Sequence, residues 1–414
     1  MAWKPLPRER GRGGSSLAHR RSVLTVPRLL HMADVHLGAR HQDLGEAAAK
    51  QRERQFAAFR RAIDLALEER VDAVLVAGDL FDSNQQPRRS VERAAAEFRR
   101  LAASGIRTVL IPGTHDVYDP ASIYRVHDLA LLAGQRADSE MVTVLTPERQ
   151  DVVLAGVDLV VYGRVAATKR MATSPLAGFS ARTETRARWR VGIVHGSLRI
   201  EGKVQDDDVL FTEAEIAASG LDYLALGHWH SFRQGRLGDT TWAYAGAPEP
   251  VAVDQDGAGQ VLMVELQETA GRRTVIVVPH PVGRTRFRKL DVDAGDIGSQ
   301  AALVERLGSL ADADLVLDVR VTGVEPDDLE ILEDEVERQL AGRFLKLRVQ
   351  NLAVPPPLEG ELPPPDTVAG AFVRDLEAQV EAAAAGDPER AAELRESLRL
   401  GRLLLDDPSR MTVA

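Results

Sequence analysis

Five short apolar segments of this chain each end in an aspartate, a histidine or both, and this recurrence limits the folds that the chain can adopt. The last of them, 223–226, leads directly into Gly227-His228-Trp229-His230. Two imidazoles spaced i, i+2 beyond a strand can face one point once the backbone turns, and neutral imidazole is the commonest side-chain ligand of transition metals. The glycine permits the positive φ that such a turn needs. The stretch therefore predicts a strand that ends at a metal site.

The four earlier segments end in the same residue types. They are 26–32 before Asp34-Val35-His36, 73–77 before Gly78-Asp79-Leu80-Phe81-Asp82, 108–111 before Gly113-Thr114-His115-Asp116, and 191–194 before His195-Gly196. Helical patterns, with apolar residues three and four positions apart, occupy 46–70 and 88–103 between the first three segments. Alternating strands and helices predict an α/β layered fold, in which functional residues gather at the carboxyl ends of the strands.

The rest of the chain predicts further strands, a smaller domain and a helical tail. Apolar runs that complete a second set of strands lie at 152–155, 159–162, 242–245, 260–266 and 272–278. Thr212 and Glu215 predict a capping box for a helix at 213–219. Helices at 298–310 and 327–340 with strands at 315–321 and 344–349 predict a small α+β unit. The predicted organisation is a disordered basic tail at 1–27, a main domain at 28–282, the small domain at 283–353, a stiff proline-rich linker at 354–366 and a helical segment at 367–414.

Composition narrows the class of protein. The chain has 414 residues, 44% of them hydrophobic, which is enough for two or three domains. No apolar run approaches the ~18 residues of a membrane-spanning helix, so no membrane association is expected. The chain contains no cysteine, which excludes thiolate metal sites and agrees with a cytoplasmic location. The net charge of −10 argues against non-specific coating of nucleic acid, although a local basic groove is compatible with it.

Seven strand-end side chains form the predicted metal centre. They are Asp34, His36, Asp79, His115, His195, His228 and His230. A single histidine of this kind is usually a packed loop or core residue, but core packing does not explain so many, because each buried polar group needs a partner. A set of nitrogen and oxygen ligands suits Mn, Fe or Zn, and a shared carboxylate can bridge two ions. Two ions about 3.5–4 Å apart clamp the attacking and leaving oxygens of a phosphoryl displacement. The pattern therefore predicts metal-dependent hydrolysis of a phosphate ester.

A family resemblance covers about residues 28–350. Asp34-x-His36, Gly78-Asp79-x-x-Asp82, Gly113-Thr114-His115-Asp116, His195-Gly196 and Gly227-His228-x-His230 resemble the five motifs of calcineurin-like metallophosphoesterases. Their surroundings, such as His31-Met32-Ala33-Asp34-Val35-His36-Leu37-Gly38, are similar to the DNA-repair nuclease branch of the SbcD/YhaO type. The resemblance implies a four-layer α/β/β/α sandwich as the catalytic domain, with a small α+β capping domain and a C-terminal helical tail.

The resemblance also implies roles for the site residues. One divalent ion, manganese by this resemblance with iron or zinc as alternatives, would be held by Asp34, His36, Asp79 and His230. A second would be held by Asp79, Thr114, His195 and His228. His115 would protonate the leaving oxygen, and Asp82 would accept a hydrogen bond from His115 and so orient its ring. The family has asparagine where this chain has Thr114, and a hydroxyl is a poorer and shorter ligand than an amide oxygen.

Three functions stay open at the level of the sequence. The resemblance implies a metal-dependent DNA exonuclease of DNA repair, with DNA as substrate, pairing into a homodimer, and an SMC-like coiled-coil ATPase as partner of the C-terminal helices. Packing of these helices back on the body is the alternative to that partner. A small-molecule phosphodiesterase or phosphatase on the same domain is the second function, mildly favoured by the negative charge. The third is a degenerate scaffold that binds DNA or an ATPase, suggested by Thr114.

Overall fold

The computed structural model describes residues 26–136, 139–166, 168–171, 173–181, 187–199, 209–252, 255, 257–326, 329–354, 363–384 and 386–406. All but the last two residues of the predicted basic tail therefore lie outside the described residues, as does most of the predicted linker.

The strands and helices alternate through the first half of the chain. The strands are β1 (Arg28–Met32), β2 (Ala73–Ala77), β3 (Arg107–Ile111), β4 (Val142–Val144), β5 (Asp151–Leu154), β6 (Leu159–Arg164), β7 (Trp189–His195), β8 (Ser197–Leu198), β9 (Leu210–Phe211), β10 (Tyr223–Gly227), β11 (Arg233–Leu237), β12 (Thr240–Tyr244), β13 (Gln260–Thr269), β14 (Arg272–Pro281), β15 (Arg286–Asp293), β16 (Leu315–Thr322) and β17 (Lys346–Asn351). The helices are α1 (Ala48–Glu68), α2 (Arg88–Ala103), α3 (Ile123–Val126), α4 (Leu129–Leu132), α5 (Glu213–Ala218), α6 (Gln300–Gly308), α7 (Glu333–Gln339), α8 (Val368–Ala384) and α9 (Pro388–Asp406).

Two six-stranded sheets carry the five motifs. The first has the order β14-β13-β1-β2-β3-β4, and β1 to β4 are parallel to one another. The second has the order β11-β12-β10-β7-β6-β5, with β12, β10, β7 and β6 parallel. Because parallel strands end at the same edge of a sheet, the motifs after β1, β2 and β3 share one edge, and those after β7 and β10 share another.

The two sheets pack face to face and are covered by helices on their outer faces. Leu75 and Ile111 of the first sheet belong to the same buried cluster as Ile193 and Ala225 of the second. On the outside of the first sheet, α1 buries an apolar stripe that includes Phe59, and α2 buries a second stripe. Helix α5 covers the second sheet and begins with the predicted capping box. The predicted four-layer α/β/β/α fold is thus confirmed.

A buried polar pair joins the two central strands across the interior. His31 of β1 and Tyr223 of β10 are fully buried, and the Tyr223 hydroxyl lies 2.8 Å from His31 Nδ1. Burial lowers the pKa of His31 to about 3, so the ring is neutral and its Nδ1 accepts the hydroxyl proton. The bond fixes β1 against β10, whose ends carry Asp34 and His228.

Replacing Tyr223 with phenylalanine is expected to destabilise the protein without changing its fold. The substitution leaves His31 Nδ1 buried and unpaired, which costs about 1–2 kcal/mol. Urea unfolding of the two proteins measures this loss. Tyr118→Phe, at a partly exposed position, serves as the matched control and is expected to leave the unfolding free energy unchanged. Equal stability of the Tyr223 variant and the wild type would contradict the assignment of this bond.

The small unit after the sandwich is an α+β layer of three parallel strands, in the order β15-β16-β17. Its core includes Leu317, Val319 and Val336. The predicted helix at 327–340 is wrong in extent, because the described helix α7 begins only at Glu333. Leu329 and Leu332 have the helical spacing on which the prediction rested, but Leu329 is buried in non-helical chain after Pro326 and Leu332 directly precedes α7. Strand β15 was not predicted, because its many charged residues obscure the alternation of apolar and polar side chains that marks a strand.

The last two helices pack against each other. A Cβ atom added at Gly401 would lie 2.2 Å from the Phe372 ring, which shows how closely α9 approaches α8. Val368 and Leu405 nevertheless remain exposed. Among the described helices, none combines the length and apolarity that crossing a bilayer requires.

Candidate metal centre

The loops after β1, β2 and β10 adopt unusual backbone conformations. Asp34, His36, Asp79 and His228 have φ values of 52°, 49°, 51° and 105°. Non-glycine residues rarely adopt positive φ, and such strain persists where the surroundings impose it. Here the first two loops are joined by hydrogen bonds from Asp34 N to Gly78 O (3.2 Å) and from His36 N to Asp79 O (3.0 Å). The backbone itself therefore aims these side chains.

Glycine at position 78 makes room for a site residue from the other sheet. Gly78 has a φ of 86°, and a Cβ atom there would lie 2.3 Å from Nδ1 of His195. Any larger residue would displace the imidazole, so the Gly78-Asp79 pair is required by sterics as well as by chemistry.

One group of ligand atoms joins Asp34, Asp79 and His195, all buried. His195 Nε2 lies 3.2 Å from Asp79 Oδ2, while His195 Nδ1 donates to the Ala77 carbonyl over 2.9 Å. Burial opposes a charge on this ring, but Asp79 and Asp34 outweigh it and raise the pKa of His195 to about 10. Burial likewise opposes ionisation of Asp79, yet His195 and His36 prevail and lower the pKa of its carboxyl. The Nδ1 bond leaves Nε2 directed at the centre, as metal-binding histidines require.

A second group joins Asp34, His36 and His230. The Nε2 atoms of His36 and His230 are 3.1 Å apart, and His36 Nε2 lies 3.7 Å from Asp79 Oδ2. His36 Nδ1 faces Asp82 Oδ1 at 3.3 Å, so a carboxylate orients this ring. Burial opposes a charge on His36, but the hydrogen bond to Asp82 and the nearby carboxylates raise its pKa. The two groups share Asp34 and meet at Asp79.

His115 lies at the mouth of the centre. Its side chain is 51% exposed, and its main-chain N–H donates to Asp79 Oδ1 over 2.8 Å. The ring was expected to donate to the Asp82 carboxylate. Instead, His115 Nδ1 donates to the Asp82 main-chain carbonyl over 3.1 Å, and the carboxylate oxygen is 3.9 Å away. The reason is that the Asp82 carboxylate faces His36.

Thr114 and His228 lie beside His195. Thr114 is 6% exposed, with Oγ1 3.5 Å from His195 Nε2. The His228 ring packs edge-on to the His195 ring with centroids 5.2 Å apart, and the His228 main-chain N–H donates to both Asp34 oxygens over 2.9 and 3.1 Å. Within the part of the chain that the structure describes, the His228 side chain belongs to none of the groups of three close histidine and carboxylate ligand atoms. Their roles as ligands stay predictions.

Comparison with known proteins agrees with this geometry. Residues 27–232 match the model of the calcineurin-like phosphoesterase family. The DNA double-strand break repair protein Mre11 of Aeropyrum pernix is 32% identical over 294 residues, which are 68% of this chain and 67% of that protein. The chain belongs to the calcineurin-like phosphoesterase family. It is a metal-dependent phosphoesterase.

Other relatives match shorter stretches of this phosphoesterase. The metallophosphoesterase YhaO of Bacillus subtilis is 30% identical over 50% of each chain. The DNA double-strand break repair protein Mre11 of Sulfurisphaera tokodaii is 26% identical over 55% of each chain. These two matches cover 50% and 55% of the relatives' own lengths.

Two side chains that support the site were not among its predicted ligands. The first is Asp116, whose carboxylate accepts hydrogen bonds from Gly113 N (2.7 Å), Phe81 N (3.0 Å) and the Tyr124 hydroxyl (2.5 Å). Sequence alone gave Asp116 a structural role, and the structure shows what it joins: the Asp79 loop and the His115 loop.

The second is Gln255, which sequence reasoning missed. Its amide Nε2 lies 2.5 Å from His230 Nδ1, while its Oε1 accepts from the main-chain N–H groups of Val251 and Ala252. A glutamine in a loop has no spacing or neighbour that marks it in a sequence.

The ligand atoms suit a divalent transition metal. They are imidazole nitrogens and carboxylate oxygens, a set that favours manganese, iron or zinc over calcium. These ligand atoms form two overlapping groups that share Asp34, with Asp79 and His195 in one and His36 and His230 in the other.

Proposed function

We propose that this phosphoesterase is a nuclease that hydrolyses phosphodiester bonds of DNA, with exonuclease action at DNA ends. The observation that carries the proposal is the convergence of two ligand groups around Asp34 and Asp79, with the exposed His115 ring beside them. The names of two relatives, DNA double-strand break repair proteins, support DNA as substrate and a role in DNA repair.

The proposed ligand sets are those of the family. Asp34, His36, Asp79 and His230 would hold one divalent ion, and Asp79, Thr114, His195 and His228 would hold the other. Manganese is the proposed metal, with iron and zinc as alternatives. When bound, two such ions lower the pKa of a water molecule and neutralise charge on the phosphate.

The protein's own side chains prepare this chemistry. The Ala77 carbonyl and the Asp82 carboxylate hold His195 and His36 by their Nδ1 atoms. The bond from His115 Nδ1 to the Asp82 carbonyl leaves the other ring nitrogen as the site of proton exchange with solvent or substrate. A proton on this exposed nitrogen can pass to the leaving oxygen of the substrate.

A groove beside the centre supports a polymeric substrate. A cavity of about 480 Å³ runs between the loop that carries Gln255 and strand β15, and its lining includes Arg286, Phe287 and Arg288. Arg286 is paired with Asp312 of the same lining and Phe287 packs against a buried cluster, so the exposed Arg288 is the residue whose guanidinium is offered to a phosphate. The arrangement suits a nucleic-acid strand that continues past the metal centre better than it suits a small phosphomonoester.

A substrate panel tests the proposal. With manganese present, the purified chain is expected to shorten end-labelled single- or double-stranded DNA and also to hydrolyse bis-p-nitrophenyl phosphate. Hydrolysis of the small ester or of cyclic nucleotides with DNA left intact would instead establish the small-molecule phosphodiesterase. Elemental analysis separates the third function, since a chain that retains no metal and hydrolyses nothing is a scaffold.

The proposed partners follow from the family resemblance. The paired helices α8 and α9 expose Val368, Phe372 and Leu405, a surface that suits the coiled coil of an SMC-like ATPase. A homodimer is also proposed. Sedimentation of the chain alone, and then with such an ATPase, tests both, with Val368→Asp as the variant expected to lose the ATPase and keep the dimer.

A further inference from the structure

Trp229 lies between His228 and His230 in the chain, and its ring packs into the apolar cluster beneath α5. The indole is partly buried there and stacks on the ring of Tyr244, with ring centroids 4.5 Å apart and 17° between the two planes. Tyr244 is the last residue of β12 and is fully buried. The loop 228–230, called the His228 loop below, is therefore anchored to the second sheet through its middle residue.

The same indole contacts residues 195–198, called the His195 segment below. Trp229 Nε1 donates a hydrogen bond to Ser197 Oγ over 2.9 Å. Ser197 is fully buried, so the acceptor of this bond is shielded from water. One side chain is thus bonded to the segment that begins with one proposed metal ligand, while its own neighbours in the chain are two further proposed ligands.

The Tyr244 hydroxyl binds the main chain of the His195 segment. It donates to the Gly196 carbonyl and accepts from the Leu198 N–H, both over 2.8 Å. Stacked aromatic rings have a preferred geometry, so the Tyr244 ring also fixes where the Trp229 indole lies. The stacked pair therefore holds three consecutive residues of the His195 segment by hydrogen bonds.

These contacts lie beyond the point where the two strands that carry the ligands stop pairing. Strands β7 and β10 pair in parallel up to their last residues. After the strands, Ser197 N donates to Val209 O over 2.8 Å, whereas His228 N donates to the Asp34 carboxylate of the first sheet over 2.9 Å. Because the two main chains turn to different partners, the bond between Trp229 and Ser197 joins them again past the end of the sheet.

We propose that Trp229 is a positioning residue whose hydrogen bond to Ser197 holds the His195 segment and the His228 loop at the spacing that metal binding needs. The inference rests on the proposed roles of His195, His228 and His230 as metal ligands. Groups that orient metal ligands change metal affinity by roughly 10- to 100-fold. Loss of the Trp229 bond frees two loops that must present their imidazoles together, so it weakens metal binding without removing any ligand.

Phenylalanine at position 229 tests the proposal. Trp229→Phe keeps a ring to stack on Tyr244 but removes the donor to Ser197. The full-length variant is expected to bind manganese about ten-fold more weakly than the wild type, as measured by isothermal titration calorimetry. A variant that melts at a lower temperature without metal, yet binds manganese as tightly as the wild type, would give Trp229 a purely structural role and overturn the proposal.

Trp242→Phe is the matched control. Trp242 is also partly buried and packs edge-on against Tyr244, with centroids 6.1 Å apart. Its Nε1 has no hydrogen-bond partner among the residues that the structure describes. Both variants lose a partly buried indole, so a difference in manganese affinity between them isolates the hydrogen bond. The control is expected to keep the affinity of the wild type, and an equal loss in both variants would overturn the proposal.

A double-mutant cycle with Ser197→Ala tests whether the bond itself carries the effect. Ser197→Ala removes the acceptor and is expected to weaken manganese binding as well. If the two side chains act through one bond, the double variant should bind manganese no more weakly than the weaker of the two single variants. Losses that simply add would show that the two residues act independently and would overturn the proposal.

The visible spectrum of bound cobalt(II) reports ligand geometry independently of activity. Cobalt takes the place of manganese in the titration, and its absorption depends on the number and arrangement of its ligands. Trp229→Phe is expected to change this spectrum, whereas Trp242→Phe is not. An unchanged spectrum for Trp229→Phe would overturn the inference even in an active nuclease. The expected changes in a protein that leaves DNA intact would count against the nuclease proposal alone.

Discussion

Replacing Asp79 with asparagine is expected to remove activity and most divalent-ion binding together. Asp79 Oδ2 lies 3.2 Å from His195 Nε2 and 3.7 Å from His36 Nε2, so its carboxylate faces both ligand groups. An amide has the same shape but lacks the charge and offers one oxygen instead of two. Loss of a shared ligand should reduce turnover by more than the roughly 10³-fold that removal of one electrostatic stabiliser costs. Elemental analysis and hydrolysis of bis-p-nitrophenyl phosphate measure the two losses.

The asparagine also keeps the local structure, which makes the comparison clean. Its side-chain oxygen can still accept the hydrogen bond that His115 N donates to Asp79 Oδ1 over 2.8 Å. Asp222→Asn is the matched control, because Asp222 is a partly buried carboxylate at the opposite end of β10, where it accepts from Arg190 N over 2.8 Å. The control should retain metal and activity. An Asp79 variant with full metal content would show that the carboxylate is not a shared ligand.

Strand-end chemistry made much of this site predictable from sequence. The runs before Asp34, Asp79 and Thr114 are buried and rich in Val, Leu and Ala, so they had to be interior parallel strands, and parallel strands deliver their last residues to one edge. No spacing of residues along the sequence predicted that His195 and His230 approach the site from the second sheet. Their approach depends on how two sheets stack, and the family resemblance supplied it.

The contacts around the ligands could not be predicted. Which atom of Asp82 accepts from His115 depends on competition with His36 for the carboxylate, and that competition exists only once three separate loops are in place. Gln255 is harder to predict, because its contact with His230 depends on two main-chain N–H groups that bind its side-chain oxygen. Patterns of residue type report which chemistry is available, but hydrogen-bond direction is decided by the folded backbone.

Replacing His115 with alanine is expected to reduce turnover on DNA by about 10²- to 10⁴-fold, the usual contribution of a general acid. The ring is half exposed, and its Nδ1 is held by the Asp82 carbonyl over 3.1 Å, so its free nitrogen can reach a substrate. Manganese content should stay near that of the wild type, because Asp34, Asp79 and His195 are unchanged. End-labelled DNA and elemental analysis provide the two measurements, and His127→Ala, at a partly buried position outside the metal centre, is the control.

The leaving group decides whether His115 transfers a proton or only positions the phosphate. A nucleoside alkoxide is a poor leaving group and needs protonation as its bond breaks, whereas p-nitrophenolate leaves readily as an anion. Proton donation is therefore worth far more on DNA than on bis-p-nitrophenyl phosphate. If His115 is the acid, the alanine variant should lose much less activity on the nitrophenyl ester than on DNA. Equal losses on both substrates would assign His115 to binding the phosphate, because a contact with the phosphate is present whichever group departs.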